Sequence, residues 1–143
     1  MSRLLALLPL IALAGCGGGK PPTQPVTGKV MFKKKTPAAG ALVVFHPTDY
    51  AVEKQLGGKP FATVKDDGTF SMTSFEADDG APEGEYGVTI QWQKKGKDTG
   101  FALGDGGGAG RQMLNPKYGN PQQPFQKVTV KKGEKNEFHF DVD

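Results

Sequence analysis

The sequence feature that most constrains the fold is the strict alternation of apolar and polar residues over residues 85–93. Successive side chains of a β-strand point to opposite faces of the sheet, so this run predicts a strand with one buried face. The face in question carries Tyr86, Val88, Ile90 and Trp92. We therefore expect Trp92 to lie in the core rather than to serve as a platform for a sugar.

Six further short runs, either alternating or continuously apolar, also predict strands. The 143 residues include 21 glycines and 11 prolines, a composition rich in turns. No long stretch has the 3.6-residue spacing of an amphipathic helix. The pattern favours an all-β domain, a sandwich of two antiparallel sheets with about seven strands. The predicted strands cover residues 26–33, 41–45, 61–64, 69–73, 85–93, 125–130 and 136–142.

The segments between these runs predict two hairpins and three loops. Asp66-Asp67-Gly68 is a strong hairpin signal, which predicts that residues 61–64 pair with residues 69–73. A turn at 131–135 predicts a C-terminal hairpin in which Phe138, Phe140 and Val142 face inward. The loops are predicted at 48–60, 76–83 and 94–124, and we expect the glycine-rich part of the last one, 94–115, to be mobile.

Residues 1–15 have the layout of a secretory signal. Met1-Ser2-Arg3 supplies a positive start, Leu4–Ala14 is apolar, and Gly15 precedes the single cysteine, Cys16. An apolar run of this length would span roughly half of a ~30 Å hydrocarbon core, so we do not expect a transmembrane helix. One alternative is an ordinary secreted protein cut between Ala14 and Gly15.

Leu13-Ala14-Gly15-Cys16 resembles the lipobox of bacterial lipoproteins. The resemblance implies that Cys16 carries diacylglycerol, that the chain is cut before it, and that its new amine is acylated. The acyl chains on Cys16 would then make the membrane a partner, and residues 16–25, rich in glycine and proline, would form a tether. Gly17 in place of aspartate after the cysteine implies an outer-membrane location facing the periplasm.

From Val26 onward, a series of short motifs resembles the carboxypeptidase-regulatory-like, prealbumin-like domains of small planctomycete lipoproteins. That resemblance implies a Greek-key sandwich over residues 26–143 that acts as an accessory envelope module without catalysis. The motifs are, in order, Val26-Thr-Gly-Lys-Val, Lys35-Thr-Pro-Ala-Ala-Gly, Val43-Val-Phe-His-Pro, Asp66-Asp-Gly-Thr-Phe, Pro82-Glu-Gly-Glu-Tyr-Gly-Val, Pro116-Lys-Tyr and Val130-Lys-Lys-Gly-Glu-Lys-Asn-Glu-Phe.

Charge argues against nucleic acid as a partner. The formal net charge is +3, with 18 basic and 15 acidic residues interspersed along the chain. A nucleic-acid binder concentrates its basic residues in a stripe or patch. The one tight basic run, Lys33-Lys34-Lys35, is followed by Thr36-Pro37 and is interpreted as an exposed turn.

No metal or other cofactor is expected. A single cysteine and two histidines, His46 and His139, lack the spacing of a zinc site, and both histidines are interpreted as structural. Acidic side chains around one loop could bind a hard cation through oxygen atoms, although solvated turn residues are the preferred interpretation. These weak candidates are Glu76, Asp78, Asp79, Glu83 and, next to them, Glu85.

The residues predict no catalytic constellation. Ser71 and Ser74 have no partnered base. The G-x-G-x-x-A pattern that begins at Gly104 is followed by prolines that would interrupt the helix a dinucleotide site needs. The histidine and arginine set of prealbumin-like hydrolases is also missing.

We therefore expect a non-enzymatic, lipid-anchored envelope protein, a monomer whose sandwich is a structural or interaction module. Other envelope proteins or a polysaccharide are the expected partners. The alternative is a glycan- or polymer-binding module, which would need exposed aromatic side chains. The loop residues Tyr50, Phe101 and Tyr118 are the candidates for these. A hydrolase is a third and more distant alternative.

Overall fold

Strands dominate the computed structural model, which describes residues 19–94 and 111–143. The predicted all-β class is confirmed. The count of about seven strands is not, because the described residues hold twelve, five of which are only two residues long. The strands are β1 (Thr23–Gln24), β2 (Val26–Phe32), β3 (Thr36–Pro37), β4 (Leu42–Pro47), β5 (Phe61–Thr63), β6 (Thr69–Ser71), β7 (Ala81–Pro82), β8 (Gly84–Gln91), β9 (Gln93–Lys94), β10 (Arg111–Gln112), β11 (Gln126–Val130) and β12 (Asn136–Val142).

Two sheets form the body of the domain. One has the antiparallel order β11-β8-β4-β5, and the other has the order β12-β2-β3, with β6 also paired to β2. The predicted purely antiparallel arrangement is wrong for the second sheet. There β12 runs parallel to β2, with Asn136 opposite Val26 and Val142 opposite Phe32.

The predicted C-terminal hairpin is wrong, because β11 pairs with β8 and β12 pairs with β2, in different sheets. Asn136 explains how the chain turns from one sheet to the other. Its side-chain amide accepts a hydrogen bond from Lys131 N at 2.8 Å and donates one to Lys131 O at 3.0 Å. These bonds hold the 131–135 turn as a corner between the two layers.

The turn at Asp66-Asp67-Gly68 is confirmed, and the hairpin predicted around it forms only in part. Gly68 has a φ of +86°, and the Asp67 carboxylate accepts a hydrogen bond from Thr69 N at 2.9 Å. The strands on either side pair mainly with other partners, β5 with β4 and β6 with β2. The two flanking segments are joined by an isolated bridge between Phe61 and Thr73 and by a hydrogen bond from Lys65 N to Thr69 O at 2.8 Å. The turn therefore also connects one sheet to the other.

The hydrophobic core lies between the two sheets, and alternation correctly predicted most of it. Phe45 occupies its centre, with ring centroids 5.6 Å from Tyr86 and 6.0 Å from Phe138. The residues predicted to face inward are mostly buried; Phe32, Phe138 and Trp92 are only partly buried. The largest fully buried side chains are Tyr86, Phe45, Phe70, Phe140, Met72, Ile90, Val26, Val30, Val43, Val88, Val130 and Val142.

Two of the predicted loops contain helical turns. Helix α1 (Tyr50–Leu56) lies within the predicted loop 48–60, where Asp49 caps its start by accepting a hydrogen bond from Ala51 N at 2.8 Å. Gly57, with a φ of +63°, ends it. A short 3-10 helix, Pro116–Gly119, lies within the predicted loop 94–124. In the described part of the chain, no helix combines the length and apolar character needed to cross a bilayer.

Several predictions fall outside the described residues: the signal at 1–15, Cys16, Phe101, the glycine-rich pattern at Gly104, and most of the loop expected to be mobile. The last residues of the predicted tether are described, and they belong to the fold. β1 pairs with β7, with Thr23 opposite Pro82. Strand pairing among the described residues therefore begins at Thr23, within the predicted tether.

The sandwich has two distinct ends. At one end, called the entry end here, β1 brings the chain in beside β7, and the 131–135 corner joins the sheets. At the other, called the far end, the Lys33-Lys34 turn follows β2, β8 finishes at Gln91, and β9 pairs with β10. β2 has seven residues, so the two ends lie about 23 Å apart at ~3.3 Å per residue.

Candidate binding cleft at the far end

A cleft of about 420 Å³ opens at the far end of the sandwich. It is lined by Ala39, Gly40, Trp92, Gln93, Lys94 and Met113. A smaller hollow of about 180 Å³ adjoins it and shares Gly40 and Gln93 with it. Leu42 and Gln91 complete the smaller hollow. The combined groove falls within the size range of small-ligand sites, about 300–1,000 Å³.

Trp92 forms the aromatic wall of the cleft, and its orientation is fixed. The indole Nε1 donates a hydrogen bond to Ala39 O at 2.8 Å, and the ring meets Phe32 edge-to-face with centroids 5.5 Å apart. The prediction that Trp92 is core holds only in part, since it packs against the core but is only partly buried. β8 ends at Gln91, one residue before Trp92. The strand pairing that covers Tyr86, Val88 and Ile90 therefore stops before it reaches the indole ring.

Met113 lies opposite Trp92 because hydrogen bonds join residues 112–113 to the backbone of Trp92. Met113 N donates to Trp92 O at 2.8 Å, and Trp92 N donates to Gln112 Oε1 at 3.1 Å. Met113, in the cleft, remains 37% exposed, and Leu42, in the smaller hollow, remains 36% exposed. Each hollow therefore presents apolar surface to solvent.

Two cations lie side by side at the rim. β9 and β10 place Lys94 directly opposite Arg111, and both are exposed. Side chains at opposed positions of an antiparallel pair lie on the same face, and like charges there repel. Since Lys94 lines the cleft, Arg111 lies on the same side. Within residues 19–94 and 111–143, the ion pairs include neither of these two cations.

The lysine turn adds positive charge to this end. The predicted exposed turn is confirmed: Lys35 N donates to Phe32 O at 3.1 Å, and Lys33, Lys34 and Lys35 are all exposed. Lys33 and Lys34 have φ values of +51° and +59°, the left-handed backbone that a type I′ turn requires at both of its central residues. Glycine and asparagine usually occupy such positions, so two lysines there are unusual.

The two described aromatic residues that were predicted as exposed ligand contacts, Tyr50 and Tyr118, do not lie in a common site. Tyr50 is 76% exposed at the start of α1, away from the cleft. Tyr118 is only 6% exposed, so the expectation that it is exposed is wrong. Its ring packs edge-on against Phe125, with centroids 5.1 Å apart, and its hydroxyl donates to Asp143 Oδ1. Phe101 lies outside the described residues.

The acidic loop is organised by hydrogen bonds within the chain. The Asp79 carboxylate accepts bonds from the backbone amides of Ser74, Phe75 and Glu76 at 2.7, 3.0 and 3.1 Å. Burial alone would raise the pKa of Asp79, but these hydrogen bonds outweigh it and lower the pKa below its ordinary value. The other candidates for a cation, Glu76, Asp78, Glu83 and Glu85, are exposed. Among the described residues, no group of three or more His, Cys, Asp or Glu side chains could hold a metal ion.

The two histidines occupy different environments. His139 is exposed, with Nε2 3.3 Å from Glu137 Oε1. His46 is partly buried, with Nε2 2.8 Å from the hydroxyl of buried Thr89. Burial lowers the pKa of His46 from its ordinary value of 6.5, Lys59 lowers it further, and Glu53 partly opposes this change.

The lowered pKa of His46 predicts that acid destabilises the fold. Between its folded and unfolded pKa values, the unfolded chain binds the proton more readily, so stability is complete above 6.5 and decreases as pH falls toward the folded pKa. Urea unfolding midpoints measured from about pH 7.5 to about pH 5.5 should therefore decrease. His46→Gln should flatten this dependence and His139→Gln should preserve it. An unchanged slope in His46→Gln would contradict the assignment.

Comparison of the chain with protein-family models, with curated proteins and with solved structures gave no match. The function must therefore be inferred from the chain's own residues. The sequence did not predict the cleft because its walls come from three separate segments of the chain. One feature of the sequence could have indicated it: Trp92 lies at the end of the alternating run, where neighbouring strands no longer cover the side chains.

Proposed function

We propose that this chain is a lipid-anchored, non-catalytic protein of the cell envelope whose β-sandwich serves as an interaction module. The observation that carries the proposal is the opposite placement of two features. The chain enters the domain at the entry end, through β1, whereas the cleft opens at the far end. An anchor on the N-terminal side would therefore leave the cleft pointing away from the bilayer.

The anchor itself is proposed from the sequence. Acylated Cys16 would hold the protein at a membrane, in this proposal the outer membrane, with the domain in the periplasm. Six residues, 17–22, separate Cys16 from β1, and the distance from Cys16 to Thr23 is at most about 25 Å when the chain is fully extended. Lys20 already contacts the domain, since its Nζ lies 5.1 Å from the centre of the Phe75 ring. These lengths support a domain held close to the membrane surface.

The finer fold assignment is part of the proposal. A Greek-key, prealbumin-like sandwich is supported by the two layers and by the placement of consecutive strands such as β5 and β6 in different sheets. We also propose that the protein is a monomer. At the two edges of the β11-β8-β4-β5 sheet, β5 has only three residues and β11 carries Lys127, features that discourage edge-to-edge pairing.

The non-catalytic role is supported by what the polar side chains do in the fold. His46 is bonded to Thr89, and Asp79 holds the backbone of its own loop. The hydroxyl of Ser74 donates to Gly80 O at 2.7 Å. Each of these groups thus has a structural partner that accounts for its position.

A second candidate function is favoured by the cleft, namely that the module binds a glycan or another polymer. An aromatic wall of fixed orientation, exposed apolar surface and amide side chains in two adjoining hollows are typical of such sites. This candidate specifies the ligand of the same module and is compatible with the anchor.

Site-specific photo-crosslinking in the native envelope tests the interaction module. A photoreactive residue at exposed Gln91 should capture an envelope component, since Gln91 lines the groove. The same residue at exposed Lys132, in the entry-end corner, provides the control and should capture little besides lipid. Equal capture of the same component from both positions, or capture only from Lys132, would contradict the proposed orientation.

A further inference from the structure

We infer that the groove at the far end binds a carboxylated polysaccharide, a polymer of acidic sugar rings. The inference rests on the second candidate function above and specifies its ligand. Trp92 and Met113 would contact the apolar face of one ring, while Lys94 and Arg111 would bind the carboxylate on it.

The indole ring of Trp92 suits a sugar ring because its orientation is fixed and its N–H group already has a hydrogen-bond partner. The only polar atom of the indole, Nε1, is already bonded to Ala39 O at 2.8 Å. A ligand therefore meets carbon surface, and the C–H face of a pyranose is apolar enough to pack on it. Contact with Phe32 keeps the ring in place, so little conformational freedom is lost on binding.

The charge of the ligand follows from the pair at the rim. Lys94 and Arg111 oppose each other across a two-residue ladder and lie on the cleft side. Their mutual repulsion is relieved when an anion lies between them. A carboxylate can accept two parallel hydrogen bonds from the planar guanidinium of Arg111 and a further one from Lys94.

The adjoining hollows and the amides favour a glycan over an acidic peptide or a nucleic acid. The two hollows share Gly40 and Gln93 in their linings, so a chain of sugar rings that fills the cleft would next meet the smaller hollow. Gln91 and Gln93 both line the smaller hollow and are exposed, and strand alternation places them on the face opposite to Trp92. Each primary amide offers two donors and one acceptor, a match for the hydroxyl groups of a sugar.

Binding is measured with the full mature protein in detergent micelles and with oligomers of galacturonic acid as the probe. Trp92 is the only tryptophan of the chain, so its fluorescence reports on the cleft directly. The fully methyl-esterified oligomer has the same rings without the charge. We expect the acidic oligomer to change the Trp92 emission and to bind at least about tenfold more tightly than its methyl ester.

Variants assign the effect to the rim. Lys94→Gln/Arg111→Gln should weaken binding about tenfold or more, since it removes two charge-assisted contacts. Lys54→Gln/Lys132→Gln removes the same charge from exposed positions elsewhere and should change affinity less than about twofold. Trp92→Ala should abolish binding, which is measured by calorimetry because this variant has no tryptophan fluorescence. Met113→Ala should weaken it without disturbing the ring that Ala39 and Phe32 hold.

Several results would overturn the inference. These are equal binding of the ester, equal losses in the two double variants, no signal with the acidic oligomer, or tighter binding of polyglutamate or single-stranded DNA. None of these tests the anchor, because binding is measured in solution. Far-end crosslinks without oligogalacturonate binding would reject the carboxylated ligand and leave the interaction module standing.

Discussion

Gly28→Ala should destroy the fold or leave it only marginally stable. A Cβ atom built at this position lies 2.1 Å from Phe138 O and 2.5 Å from Cζ of Phe70, closer than real Cβ atoms approach other atoms. Phe138 O belongs to the strand paired with Gly28, so β2 and β12 would have to separate. Phe70 is 2% exposed and stacks on Phe140, so it has no free space to enter. We expect a loss of more than about 3 kcal/mol in the free energy of unfolding, from a total of roughly 5–15 kcal/mol.

Urea denaturation of two companion variants gives this prediction its controls. Gly58→Ala places a methyl group where no atom of the described residues lies within 4 Å, and it should change stability by less than about 0.5 kcal/mol. Gly28→Ala/Phe70→Leu removes the clash with the ring but not the clash with the carbonyl, so it should recover only part of the loss. A Gly28→Ala protein as stable as wild type would show that the two strands pack less closely than described.

The sequence predicted the positions of β2 and β12 but not how they pair. Alternation correctly identified β2 and β12 and the inward faces of both, because the side-chain period of a strand is a local property. It could not predict that these strands pair in parallel, since they are separated by most of the chain. Neighbours in sequence were therefore assigned to each other as hairpins, and the structure separates them into two sheets.

Helix α1 shows a different kind of error, because its signals were present. Asp49 is a good N-cap residue and Gly57 a typical C-terminal residue for a helix, with seven residues between them. A helix this short has only one buried side chain, Leu56, so no periodic apolar pattern was available to reveal it. Asp49 and Gly57 mark the ends of this helix better than hydrophobic spacing could, although the segment was predicted to be a loop.

The candidate site was predictable only in its parts. The exposure of the lysine turn follows from the charge run, and the packing of Trp92 against the core follows from alternation. The cleft required a further fact, that β8 ends at Gln91 while the backbone of Met113 returns to pair with Trp92. Tyr118 was misjudged for the same reason, because the 3-10 helix at 116–119 turns it onto Phe125 and away from solvent.

Cys16→Ser should remove the protein from the membrane. Wild type is expected to enter the detergent phase with the mature chain starting at Cys16, its mass raised by two or three acyl chains. A single acyl chain binds a bilayer only marginally, with an association constant of about 10⁴ M⁻¹, whereas two or three make detachment negligible. The variant has a hydroxyl in place of the thiol that would receive diacylglycerol, so it should stay unprocessed or appear in the soluble fraction. Palmitate labelling should be lost completely.

A variant with the cysteine moved tests whether lipidation depends on the position of the thiol or only on its presence. In Cys16→Ser/Gly18→Cys, the chain keeps one thiol but moves it two residues away from Leu13-Ala14-Gly15. Labelling should remain absent, because the lipobox resemblance implies that the cysteine must directly follow Gly15. The domain should be unaffected in both variants, since strand pairing among the described residues begins at Thr23. A wild-type mass that corresponds to a chain starting at Gly15 with a free thiol at Cys16 would contradict the anchor, and the cleft would then belong to a secreted protein.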